Sequence, residues 1–257
     1  MLLRIDPTKI VQPPWFIGDV QLSEPLTTIT DLMIAAMSFY AWYRRGQSDR
    51  KGPQFTFFRL FFLLTGIGTV CGGIIGHGLI HVLDPMWKLI GFYLGMFAVA
   101  FIERSAIYHA KDLISPKLAN FFLVLNMIEL IFMMVYCAIT LHFQYVEYHL
   151  AYGFLIVVLG FHTYVYYKTK DPGSKIMILN TGWLLFMVAI FNVPIIPHEM
   201  FNHRDLAHII MCFSIWTLYQ GALRMRTSEE LRAYLLAAGQ TSGITEAEVT
   251  PEADLLH

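Results

Sequence analysis

Seven long apolar stretches, separated by helix-breaking residues, constrain what this chain can fold into more than any other feature. They occupy residues 26–43, 57–83, 87–108, 118–141, 148–167, 175–195 and 205–225. A helix needs about 20 predominantly apolar residues to cross the hydrocarbon core of a bilayer. Lipid offers no partner to a bare backbone N–H or C=O, so only helices and closed barrels span it. The breakers Gly52-Pro53, Asp84-Pro85, Ser115-Pro116, Asp171-Pro172-Gly173 and Pro194 with Pro197 fall between the stretches. The reading is an all-α integral membrane bundle of seven transmembrane helices. A chain that is 56% hydrophobic and 14% charged is too apolar to cover itself with water-facing surface.

Lys and Arg in short loops resist translocation and mark the cytoplasmic side. Arg44, Arg45, Arg50, Lys51, Lys111, Lys117, Lys168, Lys170, Lys175, Arg224 and Arg226 all fall on one side of the alternating spans. The opposite connections, 84–86, 142–147 and 196–204, hold a single Arg, with Lys88 at a helix end. The N-terminus is therefore expected outside and the C-terminus in the cytoplasm. The expected organisation is a membrane domain over residues 1–226 and a cytoplasmic tail over 227–257. In that tail, residues 228–239 (SEELRAYLLAAG) read as a short amphipathic helix with a serine cap and a terminal glycine. The polar, acidic remainder is expected to be disordered. The first 25 residues lack a continuous apolar run and a small-residue cleavage site, so the first span is expected to act as an uncleaved insertion signal. The expected location is the inner (plasma) membrane of a bacterium. A formal net charge of −1 gives no electrostatic basis for a nucleic-acid partner, which leaves membrane lipids as the expected company. Cys71, Cys137 and Cys212 sit in apolar runs without CxxC spacing and read as small core residues.

With orientation assigned, acidic and imidazole side chains gather in one outer layer. Glu24 and Asp31 lie seven residues apart on span one, on one face and about 10 Å from each other. His77 and His81 are four apart, so on a regular helix both reach a single ion. Glycines 66, 68, 72, 73, 76 and 78 run alongside them and allow a close helix approach or a cavity. Asp205 and His208 share a face of span seven, and His203 joins them only by curling in ahead of the helix. A carboxylate inside the bilayer costs a few kcal/mol unless it is neutral, paired or metal-bound. The bland alternatives are a lone histidine bonded to a neighbouring helix, and Glu24 as an acidic first turn before Pro25. Outside this layer, Glu129 is expected to hydrogen-bond to Asn126 or a neighbouring helix. Glu103-Arg104 is expected to pair or snorkel, and His162, near three tyrosines, to lie at the interface.

The Ser23-Glu24-Pro25 entry into span one, the glycine-rich span two ending in His77-xxx-His81, and the histidines at the start of span seven resemble the CREST superfamily. These are seven-span metal-dependent membrane hydrolases that include the alkaline ceramidases and the progestin and adipoQ receptors. Ser23-Glu24-Pro25 is similar to the Cys-Glu-Pro entry of the ceramidases. The resemblance implies a zinc ion held by one histidine of span two, His77 or His81, and two from span seven, of which His208 matches one. Four residues before His208 stands Arg204, so His203 or Asp205 would complete the set. Trp87-Lys88-Leu89 stands where the family has an aspartate. The implied activity is zinc-dependent hydrolysis of an amide or ester bond in a lipid-like substrate by an activated water. Asp31, Asp205 or Glu24 would accept the proton. Two other classes fit the residues: a metal-free receptor, transporter or structural bundle with a polar vestibule, and a haem protein with axial histidines such as His77 and His208.

Overall fold

Prolines open most of the helices. α1 (Pro25–Gly46), α2 (Pro53–Cys71), α4 (Pro116–Thr140) and α7 (Pro172–Phe191) each begin on one, and a 3-10 turn, Pro85–Trp87, leads into α3 (Lys88–Ala110). The first helical N–H has no intrahelical acceptor, so proline costs nothing there and its fixed φ pre-forms the turn. The preceding residue caps where it can: Ser115 accepts from the Leu118 N–H and Asp171 from the Ser174 N–H. This computed structural model describes residues 12–193 and 196–239.

α5 (Gln144–Ala151), a π-helical segment (Tyr152–Val158) and α6 (Leu159–Thr169) form one continuous helical run, followed after α7 by α8 (His203–Arg224) and α9 (Ser228–Ala237). Ahead of α1, strands β1 (Trp15–Ile17) and β2 (Val20–Leu22) pair antiparallel, with Ile17 opposite Val20. Their two-residue turn places Gly18 at φ +61°, a conformation open to glycine and costly for most side chains.

Among the described residues, six helical segments are long and apolar enough to cross a membrane: Pro53–Gly78, Pro85–Leu113, Pro116–Thr140, Gln144–Thr169, Pro172–Phe191 and His203–Arg224. The first apolar stretch became α1, 22 residues long. It is not among the six, because Thr27, Thr28, Thr30 and Asp31 fill its first two turns. The protein is thus a predominantly α-helical bundle with six strongly apolar segments and one amphipathic companion. α1 packs against both α2 and α8, α2 against α3, α3 against α4, and α7 against α6 and α8, so α1 joins the two halves. The core between α1, α2, α3 and α8 is filled by Ile34, Phe58, Phe62, Ile102, Ile215 and Leu218. In lipid such packing, more than water exclusion, holds helices together. At the α2–α3 seam, a Cβ on Gly91 would come 3.4 Å from the Gly68 carbonyl oxygen, so these backbones approach as closely as the small residues allow.

The tail helix expected at 228–239 is α9, and it packs against the bundle. Its N-cap is a capping box between Thr227 and Glu230. Leu231 is buried, and Arg232 and Glu230 form ion pairs with Asp112 and Arg50 at 3.4 Å each. The expected disorder beyond it lies outside the described residues.

One expectation about local structure fails. Regular helix ends at Cys71, a π-helical segment runs Gly72–Gly78, and His81 falls in the turn beyond it. His77 and His81 are therefore not stacked on one helical face. Gly72, Gly73, Gly76 and Gly78 supply the cause: without side chains, these turns widen readily to i→i+5 bonding. The Thr28 hydroxyl of α1 lies 3.0 Å from the Gly73 carbonyl oxygen.

Candidate metal site beside an apolar cavity

The start of α1 meets the π-helical end of α2 because Gly73 has no side chain. A Cβ there would stand 2.9 Å from the Asp31 Cβ and 3.2 Å from the Thr28 carbonyl oxygen. This contact brings Asp31, only 8% exposed, to 3.9 Å from Nε2 of His77. From α8, His208 brings its own Nε2 to 3.7 Å from the other Asp31 oxygen. The two imidazole rings stand edge to face with centroids 6.2 Å apart.

The far side of each ring fixes which nitrogen carries the proton. His77 Nδ1 lies 2.5 Å from a carboxylate oxygen of buried Glu24, so that nitrogen holds the proton and donates it. Burial alone would raise the Glu24 carboxyl. The His77 hydrogen bond, with the positive charges of Arg204 and Lys88, outweighs burial and holds it below the ordinary carboxylate value. His208 Nδ1 lies 2.9 Å from the Thr30 hydroxyl, whose proton goes to the Thr27 carbonyl at 3.0 Å. With its proton on the Thr27 carbonyl, the hydroxyl accepts from His208, and Nδ1 holds the proton. Both rings thus present a bare Nε2 lone pair to the same carboxylate. Each ring nitrogen faces its own Asp31 oxygen, at 3.9 and 3.7 Å, too far for a hydrogen bond. Ligand atoms around a tetrahedral zinc, with bonds of about 2.0–2.1 Å, stand roughly 3.3 Å apart. Asp31 faces both nitrogens, but the three ligand atoms do not all lie within 4.8 Å of one another, so the rings would have to close in to share one ion. Glu24 and Thr30 sit where the outer partners of metal-binding histidines sit.

Asp31, His77 and His208 lie in the wall of a cavity of about 620 Å³. Phe61, Phe92, Phe154, Leu184, Met211 and Ile215 make most of its surface apolar, and Lys88 and Arg204 also line it. Arg204 reaches Glu24 at 3.3 Å, so its charge stays close to the histidines. This volume and lining suit a small molecule with a long apolar part.

The other residues singled out in the sequence sit elsewhere. His81 Nδ1 lies 2.8 Å from the Ser23 hydroxyl, behind His77. His203 is the first residue of α8, its ring against Phe191 at 6.4 Å. Asp205 is fully buried and engaged. It accepts from the Asn202 N–H at 2.8 Å, and from the Thr27 hydroxyl and the Gln12 amide at 2.7 Å each. With Asn202 it forms the capping box that starts α8. Thr30 escaped attention in the sequence. Its signal was there, a polar Thr-Thr-Ile-Thr run leading into Asp31.

Glu129 pairs with a neighbouring helix, 2.5 Å from His149 Nδ1 on α5, and Asn126 instead donates to Glu103 at 3.2 Å. His162 is buried against the Ser174 hydroxyl at 3.0 Å rather than lying at an interface.

Residues 26–227 match the model of a family described as a family of unknown function (DUF6962). No curated protein and no solved structure matches the chain.

Proposed function

The chain belongs to that family of unknown function, and from its site we propose a zinc-dependent intramembrane hydrolase of lipid-like amides or esters. The observation that carries this reading is the meeting of two bare imidazole nitrogens and a carboxylate, with no donor between them, in the wall of an apolar cavity. Acceptors so placed repel unless a cation or a proton lies among them. His77 and His208 would hold the ion, in place of the alternatives His81 and His203, and Asp31 would face the water bound there. Zinc, when bound there, supplies a water with a pKa near 7 and polarises a carbonyl. Asp31, beside both ligand nitrogens, would accept the proton of a water held there. Glu24 and Thr30 fix the rings, and the cavity holds the acyl chain so that its carbonyl lies at the polar wall.

In this reading α1 crosses the bilayer as a seventh span, its Thr and Asp side chains turned toward α2 and α8. Arg44, Arg45 and the other loop cations place the C-terminus in the cytoplasm, and the site lies toward the outer face. The resemblance to the CREST hydrolases agrees with a histidine from the second span and another from the seventh. A bacterial plasma membrane remains part of the proposal.

The test is release of free fatty acid from a panel of N-acyl and O-acyl lipids in mixed micelles by the purified full chain. Hydrolysis that stops with chelator, returns with Zn²⁺ and is absent from Asp31→Asn supports the reading. No hydrolysis of any member by zinc-loaded protein overturns it. A Soret band on purification would favour haem instead.

A further inference from the structure

A second set of ionisable side chains lies on the other half of the bundle. Glu103 on α3, Glu129 on α4 and His149 on α5 each bring a ligand atom within 4.8 Å of the others. None of the three lines the cavity, although Val99, Leu150 and Phe154, close by in sequence, do. The cluster therefore sits behind the cavity wall. Glu103 and His149 are fully buried, and Glu129 is 11% exposed.

The partners of these groups are incomplete in a way that favours a cation. His149 Nε2 lies 2.9 Å from the Met96 carbonyl oxygen. A carbonyl only accepts, so Nε2 carries a proton, and Nδ1 is the nitrogen turned toward Glu129. A histidine anchored to a backbone carbonyl through one nitrogen is ready to ligate through the other. Asn126 donates to Oε2 of Glu103, but Oε1 of Glu103 and Oε1 of Glu129 are buried with no hydrogen-bond partner. The guanidinium of Arg104 is turned to Asn126 at 2.9 Å and the Leu123 carbonyl at 3.3 Å. Two buried carboxylates with orphaned oxygens are costly in hydrocarbon.

The backbone is shaped around the cluster. Gly153 lies in the second π-helical segment, and a Cβ there would stand 2.7 Å from Oε1 of Glu103. Any side chain at 153 would push the carboxylate aside. Both π-helical segments among the described residues thus border an ionisable cluster, and such segments concentrate at functional sites.

We propose that Glu103, Glu129 and His149 form a second cation site, taking one divalent transition-metal ion of the Mn²⁺, Fe²⁺ or Zn²⁺ class. Two carboxylates neutralise the dication, and one imidazole selects against Mg²⁺ and Ca²⁺. The 2.5 Å contact of His149 Nδ1 with Glu129 has the length of a hydrogen bond, so a proton occupies it in the metal-free protein. Metal entry displaces that proton to solvent, and the ion takes its place among the three side chains.

The experiment uses the full chain in detergent, stripped with chelator and titrated with Co²⁺ while the visible absorption of the bound ion is followed. The His77→Ala/His208→Ala variant removes the site of the proposed hydrolase, so the two ideas are read separately. One equivalent of Co²⁺ is expected in that variant. It should be lost on adding Glu129→Gln or His149→Ala, and its affinity should rise about tenfold per pH unit as one proton is displaced. Glu103→Gln and Glu129→Gln in the otherwise native chain keep the side-chain shape and should each remove one equivalent, which covers a failure of the alanine variants to fold. No Co²⁺ uptake in the His77→Ala/His208→Ala variant, or uptake unchanged by Glu103→Gln and Glu129→Gln, overturns the inference.

Discussion

Two histidine and carboxylate clusters sit at opposite ends of α8, and the difference between them separates a site from a strut. At one end, Asp31 faces His77 and His208 in the wall of the cavity. At the other, Asp171 accepts from the Ser174 N–H at 2.6 Å and the Arg226 N–H at 2.9 Å, and pairs with His109 at 3.4 Å. His109 and Asp171 are wholly inaccessible to solvent, and neither lines the cavity. The Asp171 carboxylate is saturated with donors, caps α7 and ties it to the chain leaving α8. Asp31 meets acceptors. The chemistry of the side chains is the same at both ends, so what distinguishes them is whether the donors have already been supplied by the fold.

Replacing a residue at each end should separate these roles. The largest effect is expected at His208. His208→Ala should lower hydrolysis by more than about 100-fold, exceeding the 10–100-fold typical of losing an outer partner of a metal, while helicity by circular dichroism is unchanged. Thr30→Val removes only the hydroxyl that accepts from His208 Nδ1. Its zinc affinity, by competition with a chromogenic chelator, should fall about 10–100-fold. A change of less than twofold would show that the hydroxyl does not set the tautomer.

Asp171→Asn should leave zinc binding untouched and cost about 1–3 kcal/mol of stability, since a buried, donor-saturated group is disturbed. The sign with pH follows from the same contacts. Burial alone would raise this carboxyl, but the His109 hydrogen bond and charge, with the Ser174 and Arg226 N–H groups, bring it from 3.8 down to about 2. The folded form therefore holds this proton less tightly than the unfolded chain. The resulting stabilisation is present above about pH 4 and is lost as pH falls toward 2. Thermal melts of Asp171→Asn should lack that part of the acid dependence. The smallest effect on hydrolysis is expected at Asp205, where Asn disturbs a buried, donor-saturated cap and costs about 1–3 kcal/mol of stability. Hydrolysis by Asp205→Asn should stay within about twofold of the native chain once the protein is folded, and a large loss would return Asp205 to the catalytic role its spacing suggested.

The bundle was legible because apolar length and helix breakers are local properties. Pro53, Pro85, Pro116 and Pro172, read as interruptions, are where helical segments begin, and the apolar runs between them mark the strongly apolar helices. Glu24, Asp31, His77 and His208 were also legible, since ionisable groups are rare in such runs and stand out. Two things were not. The glycine-rich end of α2 reads as ordinary helix until its bonding widens at Gly72, and that widening separates His81 from His77. Pairings across helices left no local trace either. Glu129 finds His149 twenty residues later, and His162 finds Ser174 because α6 and α7 lie together, although its tyrosine neighbours suggested an interface. Asp205 shows the converse, a residue with the right spacing whose acceptors are already used by Thr27, Gln12 and its own helix cap.

The claim that most needs testing is that the Asp31 cluster, and not the Asp171 cluster, holds a metal. Elemental analysis of the purified full chain after zinc loading, native against His77→Ala/His208→Ala and Asp171→Asn, tests it directly. The account predicts one zinc equivalent fewer in the double histidine variant and no change in Asp171→Asn. Equal zinc in all three, or a loss confined to Asp171→Asn, would contradict it.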